Sequence, residues 1–285
     1  MRIWLALAAA FFATHTAPAL AERDPRSGAP LPPRKKHEIP SPITDRFYVR
    51  GIFYAPAVST NLRVDPHNAA PGVTGTPLNA ERDLGLDSRL HQGRMELMFR
   101  LRERNRLRID FLETDRSANH LLSRTIIFGD QTFNVNERAT TSLNWRMFGL
   151  TYTYSLYRND RLEIGTGLGI HLLQAEARAE VPALQERERV SGAGAFPTIP
   201  VDIAWRISSR FALTARGQYF RAAQNNFDGW LADIHEDVQY RWKPNFAVGA
   251  GYSSIRATLH LNNINFPGGF TLNLRGPEAF FRVSF

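Results

Sequence analysis

Apolar residues recur at every second position through most of this chain from Arg46 onward, in runs separated by turn residues. Ile199, Val201, Ile203, Trp205 and Ile207 alternate with Thr198, Asp202 and Arg206. Leu162, Ile164, Leu168, Ile170 and Leu172 stand opposite Arg161, Glu163, Gly165, Gly167, Gly169 and His171; Met95, Leu97, Phe99 and Leu101 stand opposite Arg94, Glu96 and Arg100. A period of two is that of a strand, whose side chains point alternately to its two faces. The pattern predicts an all-β protein of about ten strands, over 46–56, 91–101, 106–128, 131–157, 161–180, 196–207, 211–223, 229–242, 246–262 and 269–285, with eight or twelve strands left open.

The links between these runs are of two kinds. Tight turns fall at Arg102–Asn105, Arg158–Asp160, Ser208–Arg210 and Lys243–Asn245; longer connections fall at Ala57–Leu90, around Gly129-Asp130, and at Val181–Ala195, Gln224–Asp228 and Asn263–Gly268. Barrels that cross a membrane have short periplasmic turns on one side and longer extracellular loops on the other. The alternation therefore puts the turns in the periplasm, together with the N-terminal tail and, for an even strand count, the C-terminus. The third and fourth runs exceed the ~9–11 residues of one crossing, so their arms are expected to rise beyond the membrane around Phe128-Gly129-Asp130.

Alternation alone fits a soluble sandwich as well as a barrel in lipid. Aromatic placement separates the two. Phe47, Tyr154, Trp205, Phe211, Trp242, Phe246, Phe281 and Phe285 gather at the strand ends nearest the tight turns, as an interfacial girdle does. The closing segment "GPEAFFRVSF" sends Ala279, Phe281, Val283 and Phe285 to the apolar face and Glu278, Phe280, Arg282 and Ser284 to the other, and it would close the sheet against "RFYVRGIFY" at Arg46–Tyr54. A terminal strand ending in Phe resembles the C-terminal signature of bacterial outer-membrane β-barrel proteins. The resemblance covers Arg46–Phe285. It implies an antiparallel up-and-down transmembrane β-barrel in a Gram-negative outer membrane, inserted by the barrel-insertion machinery, and it implies no activity.

Composition narrows the setting. Met1-Arg2, the apolar stretch Ile3–Phe12 and Ala19-Leu20-Ala21 read as a secretory signal (1–21) with an A-x-A cleavage site before Glu22; a buried N-terminal helix is the alternative. Cleavage removes Arg2 and no acid, leaving 264 residues with a net charge of +7 in place of +8. Residues 22–45 hold six prolines and nine charged residues without periodicity, which reads as an extended periplasmic tail, and 46–285 as the barrel. Arg34-Lys35-Lys36 suits a solvated linker, or contact with lipid phosphate. After the signal no apolar run approaches the ~18 residues of a spanning helix. There is no cysteine, which removes disulfides, thiolate catalysis and Cys-ligated zinc. The basic balance suits anionic partners, outer-membrane lipids including lipopolysaccharide, better than nucleic acid, for which no zinc-finger spacing, RNP-like segment or long basic helix is present.

The inward positions of such a barrel are charged: Arg50, Glu96, Arg100, Arg108, Asp110, Glu163, His171, Asp202, Arg206, Arg216, Asp233, His235, Asp237, Arg241 and Arg282. Mixed signs predict ion pairs that fill a narrow lumen, with selective conduction as the functional alternative. "DIHED" puts Asp233, His235 and Asp237 on one face and could orient an imidazole, yet ~7 Å between alternate residues is long for a direct bond. Gly165-Thr166-Gly167-Leu168-Gly169 lacks the following helix of a phosphate-binding loop and is expected to make room for a neighbour such as Arg206. GxSxG and HExxH are absent, as are the closely spaced His and Ser that outer-membrane lipid A deacylases share. The reading is a non-enzymatic integral outer-membrane barrel, without cofactor or metal, with a structural role or a porin-like narrow pore for small solutes. The alternatives are an adhesin-like barrel acting through Ala57–Leu90 and the raised arms, or an outer-leaflet lipid hydrolase. Oligomeric state is left open.

Overall fold

The period-two runs form strands, and the tight turns join them as hairpins. In chain order the elements are β1 (Phe47–Tyr54), β2 (Ala57–Val64), β3 (Leu78–Asn79), α1 (Ala80–Asp83), β4 (Gln92–Arg102), β5 (Asn105–Leu121), β6 (Ile126–Phe128), β7 (Gln131–Phe133), β8 (Arg138–Arg158), β9 (Leu162–Val181), β10 (Glu186–Arg206), β11 (Phe211–Gln224), β12 (Phe227–Lys243), β13 (Phe246–Asn263) and β14 (Phe266–Ser284). This computed structural model describes residues 40–66, 73–181, 186–224, 227–263 and 266–285. The signal segment and the tail as far as Ile39 lie outside the described residues.

Ten strands close an antiparallel barrel in the order β1, β4, β5, β8, β9, β10, β11, β12, β13, β14, and β14 pairs back onto β1. Closure runs in register from Tyr48 opposite Ser284 to Tyr54 opposite Glu278. Beyond it, the Phe285 carbonyl accepts from the amides of Arg46 and Phe47 at 3.1 Å each. The apolar chain end is thereby tied into the ladder, and both edges that would otherwise be left unpaired are consumed.

The wall continues past the barrel proper. After a break at Ala55-Pro56, β2 pairs with the upper half of β14, from Ala57 opposite Arg275 to Val64 opposite Gly268. Ala57–Leu90, expected as a loop, therefore supplies a wall strand together with β3 and α1. Val181–Ala195 is likewise mostly strand, because β9 and β10 stay paired from Val181 opposite Glu186 downward. The expected arms 106–128 and 131–157 are shorter than the sequence suggested: β5 stops at Leu121, β8 starts at Arg138, and β6 and β7 form a separate hairpin turning at Gly129-Asp130. Gly129 takes φ +60 in that turn, a conformation glycine adopts without strain. The hairpin leaves the wall because Ile126, Phe128 and Phe133 bury themselves in an apolar cluster within the barrel's upper end.

Two surfaces alternate on each long strand, and their characters exchange part way up. On β8, Leu156, Tyr154, Leu150 and Phe148 face outward, with Gly149, Thr151, Thr153 and Ser155 inside; above Met147 it is Ala139, Leu143 and Trp145 that are buried, with Asn144 and Arg146 outside. On β14, Glu278, Phe280, Arg282 and Ser284 are buried below and Phe270, Leu272 and Leu274 above. The outward apolar stretch from Leu156 to Phe148 is nine residues, roughly 25 Å of tilted strand and the height of one bilayer core.

The aromatic ring expected at the short-turn end is present. Tyr154, Trp205, Phe211, Trp242, Phe281 and Phe285 are exposed, and Phe47 and Phe246 are half-buried against neighbouring rings. Phe47 lies 4.8 Å from Phe99 and 5.9 Å from Phe285, and Trp242 lies 5.9 Å from both Phe246 and Phe281.

Candidate functional site: the charged interior

Inward residues of the lower strands meet in the lumen because a ten-strand cylinder is narrow enough for long side chains to reach across it. Glu96 on β4 pairs with Arg216 on β11, five strands away around the wall, so this contact joins opposite sides. Tyr48 also donates to Glu96. Arg108 binds Asp202 at 2.9 and 3.2 Å, Arg106 reaches Asp202 at 3.4 Å, and Arg100 binds Glu163 at 2.8 and 3.0 Å. Arg50 bridges Asp237 at 2.8 Å and Glu278 at 2.9 Å, with its guanidinium stacked 3.5 Å from the Phe280 ring. Among the described residues the buried Lys/Arg side chains are all arginine, whose planar fork makes two parallel bonds to a carboxylate and stacks on aromatic faces.

The structure brings together nearly all the inward residues expected from sequence. Glu96, Arg108, Asp110, Glu163, His171, Asp202, Arg216, Asp233, His235, Asp237, Arg241, Arg282 and Arg50 are buried, and Arg100 is half-buried with its guanidinium inside. Arg206 differs: it is half-buried at the lower end of β10 and outside this network. The room made by Gly165 goes instead to Arg106, whose guanidinium a Cβ there would touch. The direct Asp233–His235 contact, thought too long for alternate residues, exists: His235 Nε2 lies 2.7 Å from Asp233 Oδ1. Strand side chains lean along the strand, and that lean closes the gap. Asp237 turns away from His235 to Arg50.

Four members were not on the sequence-based site list. Arg94, Arg106 and Glu278 are buried participants; alternation had already put Arg94 and Glu278 on the inner face. Asp45, read as the end of the tail, is folded in and binds Arg241 at 2.6 Å, Arg282 at 2.5 Å and Ser284 Oγ at 2.9 Å. Arg100 and Arg158 hold the carbonyls of Pro42, Asp45 and Ile43, and Ile43 is buried, so residues 41–45 stop the lower mouth. No sequence signal short of the two unmatched arginines pointed to Asp45.

The upper interior is of the opposite kind. Leu62, Leu78, Leu84, Leu86, Leu122, Ile126, Phe128 and Phe133 pack with Leu143, Trp145 and Phe196. One charged tie crosses it: Arg116 on β5 binds Glu81 at 2.6 Å and Thr60 Oγ1 at 2.6 Å, fastening α1 and β2 to the barrel wall. Asp83 on α1 is held by Arg82 at 2.9 Å, Arg124 at 3.0 Å and the Asn79 amide at 2.9 Å. Burial pushes its carboxyl up, and these hydrogen bonds more than offset that, holding it down at about 2.

Among the described residues, those able to hold a metal converge in the charged half. Donor atoms of Asp110, His171 and Asp233 all lie within 4.8 Å of one another.

No family model matches the chain, and no curated protein sequence does. Among solved structures it is similar to the outer membrane protease OmpT of Escherichia coli, at 12% identity and a TM-score of 0.49, over 84% of this chain and 97% of that one. It is similar to the Ail attachment invasion locus protein of Yersinia pestis at 9% identity and 0.35, over 84% and 100%. The transport unit of the autotransporter AIDA-I of Escherichia coli matches at 9% and 0.41, over 89% and 91%. Likenesses at this level carry no argument about activity. The class follows from the molecule itself: a closed ten-strand antiparallel barrel with an apolar outer band, an aromatic girdle and an ionised interior is a β-barrel of the bacterial outer-membrane type.

Proposed function

We propose that this protein is an integral outer-membrane barrel with a closed lumen, acting as an envelope scaffold and not as a pore or an enzyme. The observation that carries the reading is the Glu96–Arg216 pair joining opposite walls, with further ion pairs above and below it. Both ends are also covered, by residues 41–45 below and by the β3–α1 segment and the β6–β7 hairpin above. Between the charged side chains a space bordered by Tyr48, Arg106, Asp202 and Arg282 is about 30 Å3, room for roughly one or two waters. Asp233 and His235 are buried, which speaks against their meeting a lipid or peptide substrate. The short turns and both chain ends face the periplasm in this reading, and the apolar-cored cap faces outward.

Planar bilayers test it. Insertion of the purified protein is expected to give no discrete conductance steps. Stable unitary steps from the full-length chain would replace the scaffold reading with a pore.

A further inference from the structure

One group of interior ion pairs is short of positive charge. Arg50 joins Asp237 to Glu278, His235 joins Glu278 to Asp233, and Arg94 joins Asp233 to Asp110. With His235 counted as neutral, four carboxylates thus face two guanidinium groups, an excess of two negative charges. The opposite excess sits elsewhere: Glu96, Asp202 and Glu163 face Arg100, Arg106, Arg108 and Arg216, while Asp45 faces Arg241 and Arg282. Charge buried away from water must be balanced close by, because desolvating an uncompensated ion costs several kcal/mol.

His171 stands at the deficit. Its side chain is fully buried on β9, and neither ring nitrogen has a hydrogen-bond partner among the described residues. Two orphaned polar atoms in one buried ring are costly, unless something at that point accepts a lone pair. Asp233 Oδ1 also lacks hydrogen-bond geometry, although His235 Nε2 is 2.7 Å away.

We propose that Asp110, His171 and Asp233 bind a divalent first-row cation, with zinc the best match to their donors. Two carboxylates and an imidazole are a recognised set for such an ion, and its charge equals the local deficit. Donor atoms within 4.8 Å of one another need to close by up to roughly 1.5 Å to reach the ~3.3–3.6 Å tetrahedral separation at bond lengths of ~2.0–2.2 Å. Arg94 contacts only the Oδ2 atoms of Asp110 and Asp233, at 3.4 and 3.2 Å, and its other nitrogen lies 2.7 Å from His235 Nε2. His235 is not itself a ligand; its Nε2 lies 2.7 Å from Asp233 Oδ1 and its Nδ1 3.4 Å from Glu278, so it stands behind the Asp233 carboxylate as an outer-shell neighbour. Gly149 leaves the space, since a Cβ there would overlap the Asp110 carboxylate. The ligands come from β5, β9 and β12, so the ion would cross-link three separate parts of the wall.

The test uses the full chain folded in detergent micelles, with zinc supplied either during folding or afterwards, and free metal removed before elemental analysis. One retained equivalent of zinc is expected, with cobalt(II) giving the absorption of a tetrahedral nitrogen–oxygen site. His171→Gln is expected to weaken binding at least tenfold; His171→Asp, which keeps a ligand, is expected to retain the ion. Absence of retained zinc in the wild type under both regimes overturns the proposal. Equal retention by wild type, His171→Gln and Asp233→Asn also overturns it, placing the zinc elsewhere. If the variants do not fold, the wild-type cobalt spectrum decides, and one without a tetrahedral band counts against the site.

Discussion

On β8 and β14 the same strand faces two opposite pairs of surroundings. In the lower half the outer residues are oily and the inner ones polar; in the upper half Trp145 and Leu272 turn inward, while Arg146 and Asn273 face out. The register of β8 on β5 and of β14 on β13 does not shift at the boundary. What changes is the material outside the wall. Where hydrocarbon covers the exterior, burial of apolar surface is satisfied there and the interior is free to be ionic; where water covers it, the interior must supply the hydrophobic contacts. The two interiors also fail differently. An ion-pair network is sensitive to the loss of one partner and tolerant of losing both together, whereas an apolar cluster loses stability with each atom removed.

The sharpest break of the comparison is Glu96→Ala in the lower half. It leaves Arg216 without its carboxylate, while Arg108 keeps Asp202, and a loss of about 3–5 kcal/mol is expected, read as a lowered urea midpoint for unfolding from micelles. Replacing Glu96 and Arg216 together by methionine should recover most of it. In the upper half Leu122→Ala is expected to cost about 3 kcal/mol. That loss should appear as faster amide exchange in β6, β7 and α1, with the lower strands unchanged. The exterior gives a third contrast. Leu168, 72% exposed on β9 in the outer band, is expected to cost about 2 kcal/mol on change to Arg near mid-bilayer, while Asn144→Arg, outward on upper β8, should be neutral; equal costs would remove the boundary drawn here. The smallest effect concerns pH. Asp83 is held at about 2, below its ordinary 3.8, so its ties to Arg82 and Arg124 contribute fully above about pH 4 and are lost as pH falls through about 2. Cleavage within 73–90 by an acid protease should be slow near pH 4 and fast below about pH 2, and Asp83→Asn should remove that difference.

The lower half was legible in the sequence because its alternation is extreme: Ile199 to Ile207 against Asp202 leaves one register for β10, and a slip of one residue would put the carboxylate in lipid. Ten strands, the girdle and most of the buried charges followed from that. The upper half was not, because a strand with apolar residues inside and polar ones outside has the same period as its mirror image. Ala139 to Trp145 gives no sign of which face closes over a core. Nor does Ala57–Leu90 announce β2, whose place depends on the upper half of β14, more than two hundred residues away. Asp110, His171 and Asp233 lie on three strands far apart in the chain, so their meeting is a property of barrel closure that no local spacing encodes.

The pairing of β1 with β14 sets a condition on timing. The first strand made waits for the last, and no earlier segment offers the ladder that Phe285 completes with Arg46 and Phe47. A ribosome releasing this chain therefore delivers something unfinished, with two raw margins exposed until β14 meets β1. Loss of even a few residues from the carboxyl end should leave a sheet that never becomes a cylinder, and quality control in the envelope would meet it as an open ribbon.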